Sequence, residues 1–258
     1  MLNSDEVKRI ALEVGFDDCG IARADALSED EYPLHEWIGL GWHGDLSYME
    51  RNADKRMDPR LLVPGARSVI CCVSSYPPPD SVGGTAAYAR TREYHDDIKQ
   101  MLAALRERLG IEGKLCCDTV PISDKHWAAR AGLGWIGRHT LLVTPRWGSW
   151  VNLGEIVTVE ECSEYDEASS APDFCSKCNR CVEACPNQAI KPLYAEQTSR
   201  AQHYMLDVCH CTAYYTTHHS RPLPPDVDPH GYTQGCDLCQ LACPYNQKAL
   251  NINNQTNV

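Results

Sequence analysis

Apolar residues follow two spacings along the first 160 positions, and these spacings predict helices and strands in turn. Over 94–109 apolar side chains recur every three or four residues, which predicts a helix, and Gly110 stands where that helix would end. The run 67–76 is rich in β-branched apolar residues, which predicts a buried strand that stops at the prolines 77–79. Strands that alternate with helices indicate an α/β sheet domain.

Shorter stretches carry the same two patterns. Ser4 is expected to cap a helix that runs to Val14, and Ser123 is expected to cap a helix that includes 126–131. Short apolar segments predict further strands at 20–22, 115–118, 140–144 and 150–159.

The chain has 258 residues and carries 24 Lys and Arg against 35 Asp and Glu, a formal net charge of −11. An acidic chain is not a general binder of polyanions, so contact with nucleic acid would need a local basic patch. No apolar run approaches the ~20 residues that cross a bilayer. Residues 1–6 lack the basic and apolar stretches of a secretory signal. We therefore expect a cytoplasmic protein with no membrane partner.

Cysteine is the unusual component, because 15 cysteines are present and most lie in the last third of the chain. In a reducing compartment, clustered cysteines are typical of metal or redox ligands. Their distribution predicts an N-terminal α/β domain followed by a ferredoxin-like module. The predicted segments are the α/β domain 1–160, an acidic linker 161–172, the cluster module 173–248 and a polar tail 249–258.

Two runs of cysteines, each followed by proline, have the spacing of bacterial ferredoxins: Cys175-x2-Cys178-x2-Cys181-x3-Cys185 and Cys236-x2-Cys239-x3-Cys243. In two-cluster proteins the last cysteine of such a run binds the other cluster. Crossed ligation predicts two [4Fe–4S] clusters, one held by Cys175, Cys178, Cys181 and Cys243, the other by Cys185, Cys236, Cys239 and an upstream cysteine. Cys209 and Cys211 both stand upstream, and spacing alone does not separate them.

Two zinc knots are the alternative to two clusters. Structural zinc sites usually use paired Cys-x2-Cys elbows, whereas the run 175–185 offers three closely spaced thiolates and a displaced fourth, which favours clusters. Five other cysteines are expected to be small buried hydrophobes on strands, namely Cys19, Cys71, Cys72, Cys116 and Cys117. Cys162 is expected to be a linker thiol.

The α/β domain is expected to hold the electron acceptor, because clusters move electrons but make no bonds unaided. No G-x-G-x-x-G motif follows a strand, and no P-loop is present. The glycine-rich segment 132–137 follows a helix-like stretch, which suggests a backbone loop against a large ligand.

Four blocks, together with both cysteine runs, resemble epoxyqueuosine reductases: YARTREYH at 88–95, DTVPISDK at 118–125, AGLGWIGRHT at 131–140 and GSWVNLGEI at 148–156. The resemblance spans essentially the whole chain. It implies a cobalamin-dependent iron–sulfur enzyme, related to reductive dehalogenases, that reduces epoxyqueuosine to queuosine in tRNA. That reaction is the last step of queuosine biosynthesis.

The resemblance also implies roles for individual residues. Asp118 matches the family's proton donor, and Cys211 in the block 206–214 matches its eighth cluster ligand. A further set matches the lining of the corrinoid and substrate cavity: Tyr94, His95, Gly134, Trp135, Ile136, Gly137, Arg138, His139 and Thr140.

Some positions depart from the family pattern. Thr91 and Glu93 replace glycine and aspartate in the first block, and Cys209 is an extra thiol. The sequence is expected to correspond to a short form without the family's C-terminal helical-repeat region, which helps to hold tRNA.

The chemistry places demands on Asp118 and on the cofactor. Asp118 is expected to be buried beside Leu115 and partly protonated, so that it can protonate the departing epoxide oxygen. The corrinoid motif D-x-H-x-x-G is absent, because Ala129 stands where glycine is needed after His126. This implies base-off cobalamin without a histidine ligand, and His126 and His139 are expected to make hydrogen bonds or lie at the surface.

Basic residues near the expected cavity are candidates for contact with phosphates of an anticodon stem: Arg90, Arg92, Lys99, Arg130, Arg138 and Arg146. Solvated charges balanced by nearby carboxylates are the alternative. Two other functions stay open, a corrinoid reductase of a small molecule and a non-catalytic two-cluster electron carrier. We expect a monomer that takes electrons from a donor protein, which the sequence does not identify.

Overall fold

The structure is a computed structural model that describes residues 1–29, 31–90, 93–169, 173–193, 203–217 and 222–247. The predicted tail 249–258, part of the predicted linker, and Thr91 and Arg92 lie outside these residues. The helices are α1 Ser4–Glu13, α2 Leu34–Gly39, α3 Ser47–Arg51, α4 Ala53–Met57, α5 Tyr94–Leu109, α6 Asp124–Arg130, α7 Asp173–Lys177, α8 Arg180–Glu183, α9 Thr212–Thr217 and α10 Leu238–Leu241. The strands are β1 Asp18–Arg23, β2 Ser68–Ser75, β3 Gly84–Thr85, β4 Lys114–Cys116, β5 Trp135–Ile136, β6 Leu142–Val143, β7 Val151–Thr158, β8 Ile190–Leu193, β9 His203–Leu206 and β10 Tyr232–Gln234.

A four-stranded sheet in the order β1-β2-β7-β4 forms the centre of the N-terminal part. All three strand pairings in it are antiparallel. The predicted strands at 20–22, 67–76, 115–118 and 150–159 are therefore confirmed in position. The strands that alternate with helices along the chain thus pair antiparallel in the sheet. The fold class of this part is therefore α+β, which agrees with the predicted mixture of helices and strands.

Helices cover both faces of this sheet, which explains why β2 reads as a continuous apolar run. α1 and α5 pack on one face through Ile10, Ile98 and Leu102, and α6 packs on the other through Trp127. At Gly154 on β7, a Cβ atom would lie 2.5 Å from Cγ2 of Ile98. Glycine there lets α5 approach the strand closely.

Helix ends follow the sequence only in part. Gly110 ends α5 with a φ of 63°, as predicted. The cap of α1 is Asn3, whose side chain accepts a hydrogen bond from the Glu6 N–H, whereas the Ser4 hydroxyl donates to the carbonyl of Glu164. Ser123 does precede α6, but its hydroxyl is 2.7 Å from Nδ1 of His126 and caps no backbone group.

The cysteine-rich part packs against the N-terminal part over a shared apolar core. Met205, Val208 and Tyr214 belong to the same buried cluster as Trp37 and Trp127. Further contacts come from Nε1 of Trp37, which donates to the Leu206 carbonyl at 2.7 Å, and from parallel pairing of β10 with β3. Among the residues described above, no helix has the length and apolar character needed to cross a membrane.

Candidate functional site

Four thiols of the cysteine-rich part face one another as a first group: Cys175, Cys178, Cys181 and Cys243. Burial, followed by the neighbouring thiols of Cys243, Cys175 and Cys178, raises the pKa of Cys181 to about 11. The pKa of Cys243 is raised by burial and then by Cys175 and Cys178. The last cysteine of the second run thus lies with the first three cysteines of the first run.

A second group consists of Cys185, Cys211, Cys236 and Cys239. Burial raises the pKa of Cys236 to about 11, and the nearby thiols of Cys211 and Cys185 add to the increase. Burial raises the pKa of Cys239 well above the ordinary value, and the thiols near it are Cys211 and Cys236, then Cys181 of the first group, and then Cys185. These neighbours are compatible with the two crossed sets, and the assignment of each cysteine to a cluster stays a prediction.

Cys209 lies apart from the second group. Its pKa is raised by burial and then by Asp207 and Asp45. Among the described residues, the groups that act on its pKa do not include another cysteine. Its Sγ would be 3.1 Å from a Cβ at Gly44, which places it against the loop that follows α2. Of the two cysteines that precede Cys236 in this region, Cys211 is therefore the one whose thiol faces the second group.

Within the described ranges, no three His, Cys, Asp or Glu side chains converge on a site for one metal ion. A [4Fe–4S] cube binds each cysteine to a different iron, so its ligands need not converge on one point. Cys19, Cys71, Cys72, Cys116 and Cys117 are buried on or beside the central strands, as predicted. Cys162 is also buried, because it packs in the apolar cluster that contains α1, so it is not the linker thiol that we expected.

Two adjoining cavities open between the N-terminal and cysteine-rich parts. Their volumes are about 340 Å³ and about 1100 Å³. The smaller is lined by apolar residues of both parts, including Trp37 and Met205, and the larger by Tyr48, Tyr88 and Gln234 among others. Residues that line both cavities mark the place where they meet: Met49, Arg56, Tyr94, Asp118 and Asp124.

Asp118 stands at this junction on the loop that follows β4. Tyr94 donates a hydrogen bond to Oδ2 of Asp118, and Nε2 of His95 lies 3.0 Å from the same oxygen. The rings of Tyr94 and His95 stack with centroids 4.1 Å apart. α5 begins at Tyr94, so the first turn of a packed helix holds both rings against the carboxyl.

The surroundings of Asp118 differ from the prediction. Its side chain is 49% exposed rather than buried beside Leu115, because the loop turns outward after β4. Its φ is 51°, a left-handed conformation that costs a non-glycine residue about 1–3 kcal/mol. Such strain is concentrated at functional sites, where the surrounding structure holds the residue in place.

Buried Arg56 and partly buried Lys125 add two cations that the sequence did not single out. Arg56 is 9% exposed, donates to the Ile122 carbonyl at 3.2 Å, and keeps Nε without a hydrogen-bond partner among the described residues. Burial lowers the pKa of Lys125 to about 8, and its ammonium donates to the Thr140 carbonyl. Both line the smaller cavity.

The predicted cavity residues divide into two sets. Tyr94, His95 and Thr140 line the cavities. The segment from Gly134 to His139 lines neither of them in the described chain and instead lies behind Thr140. There Gly134 and Gly137 pack against Val143, Trp135 and Ile136 form β5, and Trp135 meets Tyr245 edge-on at 4.8 Å.

Arg138 and His139 complete this segment. Arg138 reaches the cysteine-rich part, where it donates to Tyr204 at 2.9 Å, to Asn179 and to the Ser176 carbonyl. Burial lowers the pKa of His139 to about 4. The expected hydrogen bonds of the two histidines are present: Nδ1 of His139 accepts from the Leu141 N–H, and His126 bonds Ser123.

Three of the predicted phosphate contacts are engaged inside the protein. Arg90 donates to carbonyls of its own loop, Arg130 pairs with Glu31, and Arg138 binds the groups named above. Lys99 and Arg146 are exposed. Arg92 lies outside the described residues. The predicted basic patch is therefore smaller than the sequence suggested.

Comparison with known proteins gives the same assignment along the chain. Residues 56–123 match the family model for epoxyqueuosine reductase QueG, DUF1730, and residues 174–246 match the 4Fe-4S double cluster binding domain. Epoxyqueuosine reductase of Cyclobacterium marinum is 35% identical over 93% of this chain and 78% of its own length. That of Cellulophaga algicola is 36% identical over 95% of this chain and 79% of its own.

Solved structures agree with this fold. A crystal structure of epoxyqueuosine reductase with a tRNA-Tyr epoxyqueuosine-modified stem loop is 27% identical, with a TM-score of 0.80. The match covers 94% of this chain and 65% of that one, so this chain spans about two thirds of the solved protein. The Bacillus subtilis enzyme, solved with its catalytic aspartate loop swung out of the active site, has a TM-score of 0.78 at 27% identity.

A reductive dehalogenase, at 18% identity and a TM-score of 0.58, shares the fold over 93% of this chain and 31% of its own. The described cysteine groups lie within the segment that matches a double-cluster domain, so the C-terminal part is a double [4Fe–4S] domain. The chain belongs to the epoxyqueuosine reductase family, oxidoreductases that reduce epoxyqueuosine to queuosine in tRNA.

Proposed function

We propose that this chain reduces epoxyqueuosine to queuosine in tRNA at the junction of the two cavities, with cobalamin bound there and two [4Fe–4S] clusters as its electron supply. The observation that carries the proposal is the Asp118 carboxyl, held by Tyr94 and His95 where the cavities meet. A cytoplasmic monomer, as predicted from the sequence, fits a tRNA substrate.

The residues around the cavities fit a large polar cofactor. The larger cavity, about 1100 Å³, reaches the upper end of the ~300–1,000 Å³ that sites for drug-sized ligands occupy. The unpartnered Nε of Arg56 offers a buried donor to the phosphate or amide groups of a corrinoid. Arg56, Tyr94 and Thr140 would hold cobalamin, in base-off form because no histidine ligand motif is present. When reduced, the cofactor supplies a strong nucleophile or reductant.

Side chains of this chain supply and orient the proton that the reaction needs. Conversion of an epoxide into an alkene takes up two electrons and two protons and releases water. In our proposal, Asp118 protonates the departing oxygen as general acid. Tyr94 and His95 fix the direction of its carboxyl, and the left-handed backbone at Asp118 aims it into the junction. The related B. subtilis enzyme also has a catalytic aspartate loop.

Electrons would reach the cavity through the crossed cysteine sets. We assign one cluster to Cys175, Cys178, Cys181 and Cys243 and the other to Cys185, Cys211, Cys236 and Cys239. This assignment is supported by the thiols of each set, which lie close to one another. The donor that reduces these clusters is a separate protein in this account.

The assignment of Cys211 predicts different outcomes for two neighbouring thiols. Replacing Cys211 with serine should remove one cluster, because its thiol faces Cys185 and Cys236. Replacing Cys209 with serine should leave both clusters in place, since Asp207 and Asp45 are its charged neighbours. Iron and sulfide analysis after anaerobic reconstitution measures this. Loss of iron in the Cys209 variant, with full iron in the Cys211 variant, would reverse the assignment.

The tRNA would bind over the open side of the cavities. A relative has been solved with an epoxyqueuosine-modified stem loop, which supports an anticodon stem as the partner. Exposed Lys99 and Arg146 remain as candidate phosphate contacts, and such contacts weaken with added salt.

Dependence on cobalamin tests the proposal against its two alternatives. Anaerobically reconstituted chain should form queuosine with cobalamin, reductant and modified tRNA, and none when cobalamin is omitted. A chain that does not bind cobalamin would instead be an electron carrier. A chain that binds cobalamin but neither binds nor converts the tRNA would be a reductase of a small molecule.

A further inference from the structure

Two carboxyl groups that the proposed mechanism does not use meet behind Asp118. Asp124, the first residue of α6, lines both cavities, and its side chain faces that of Glu155 on β7. Glu155 is 0% exposed, and neither of its carboxyl oxygens has a hydrogen-bond donor among the described residues. The backbone N–H of Asp118 bonds the Asp124 carboxyl, so the pair adjoins the general acid directly.

The side chains that face Glu155 bring no positive charge to it. The thiols of Cys71 on β2 and Cys116 on β4 face its carboxyl, and Asp118 adds a further carboxyl group. The cations lie on the side of Asp124: Lys125 is close to it while donating to the Thr140 carbonyl, and Arg56 lines both cavities with it.

This arrangement determines how the pair is protonated. Two adjacent carboxylates in a buried site cannot both ionise cheaply, so one of them keeps a proton. Burial, followed by the charge of Asp124, raises the pKa of Glu155 well above its ordinary value. Burial raises the pKa of Asp124 to about 6. The burial of Glu155 and its closeness to Asp124 thus favour a pair that keeps one proton between its two carboxyl groups.

Building on the proposed function, we propose that Asp124 and Glu155 store the second proton of the reduction and release it through Asp124 into the cavity. The first C–O bond breaks as Asp118 protonates the oxygen, which leaves a hydroxyl on the neighbouring carbon. The second C–O bond then breaks as the stored proton joins that hydroxyl, which departs as water. The two electrons come from the clusters, and the emptied pair takes a proton from solvent when the product leaves.

The stored proton has a direct spectroscopic readout. In the reconstituted chain at neutral pH, infrared spectra should show the C=O stretch of a protonated carboxyl that Glu155→Gln removes. Asp18→Asn should keep it, since Asp18 is a half-buried carboxyl at the start of β1. Absence of the band from the unmodified chain overturns the inference, and that measurement needs no variant to fold.

Turnover gives the second readout. Glutamine keeps the volume of Glu155 and donates to Asp124, so Glu155→Gln should hold both clusters. Its rate should fall by about a hundredfold, the lower end of what a positioned proton donor contributes. Rising pH removes the stored proton, so the rate of the unmodified enzyme should fall, and the variant should lose this part of the pH dependence and keep only the part that comes from the general acid Asp118. An unchanged rate and pH profile would overturn the inference.

These outcomes separate the inference from the proposed function. A protonated-carboxyl band together with no queuosine from the unmodified chain would count against the proposed function alone. Queuosine formation without the band would count against the proton store alone.

Discussion

Replacing Asp118 with asparagine is expected to lower queuosine formation by about 10²–10⁴-fold, the range that a positioned general acid contributes. Asparagine keeps the shape of the side chain and tolerates the left-handed backbone at this position. It has no acidic proton to give to the departing oxygen. Single-turnover assays with modified tRNA measure the loss.

The matched control is Asp96→Asn, which removes an exposed carboxylate from the first turn of α5, the turn that also holds Tyr94 and His95. That variant should turn over at the rate of the unmodified chain. The Asp118 variant should also retain the cluster absorption and cobalamin affinity of the unmodified chain. Full activity after loss of the Asp118 carboxyl would contradict its role as the proton donor.

The crossed ligand sets predict an equally large effect from paired cysteine substitutions. A double variant at Cys185 and Cys236 removes two ligands from one set, so it should keep about half of the iron. A double variant at Cys181 and Cys185 removes one ligand from each set, so it should lose nearly all of it. Both should be inactive, because the electron path is broken.

Iron analysis and electron paramagnetic resonance of the reduced variants distinguish the two arrangements. If each run instead held its own cluster, the outcomes would be exchanged. The Cys181–Cys185 variant would then keep half of the iron, and the Cys185–Cys236 variant would lose it. A double variant at Cys209 and Cys162, which lie outside both sets, serves as the control and should keep all of it.

The ligand sets were accessible from the sequence because they depend on short local spacing. Two residues between cysteines fix how successive sulfurs turn toward a common centre, and this holds whatever the rest of the fold does. The choice between Cys209 and Cys211 was different. Spacing left it open, the family resemblance favoured Cys211, and the structure separates the thiols by their neighbours.

The surroundings of Asp118 could not be read from the chain. Its exposure and its left-handed backbone depend on how the loop after β4 meets α5, a contact between distant segments. Arg56 reaches the same junction from α4, and its isolated position in the sequence carries no signal.

Sheet topology had the same limitation. The apolar runs located the strands, but the direction in which neighbouring strands pair depends on the path of the connections between them. That path brings Glu155 on β7 beside Asp124 on α6, although each residue on its own looks like an ordinary polar position. Pairs of this kind become visible only once the fold places them together.

The central claim is that this chain converts epoxyqueuosine to queuosine with cobalamin and its two clusters. The most direct measurement incubates the anaerobically reconstituted chain with cobalamin, a low-potential reductant and tRNA that bears epoxyqueuosine. Digested nucleosides are then analysed by mass spectrometry. The account predicts that queuosine replaces epoxyqueuosine. Unchanged epoxyqueuosine, with protein shown to hold both clusters and cobalamin, would contradict it.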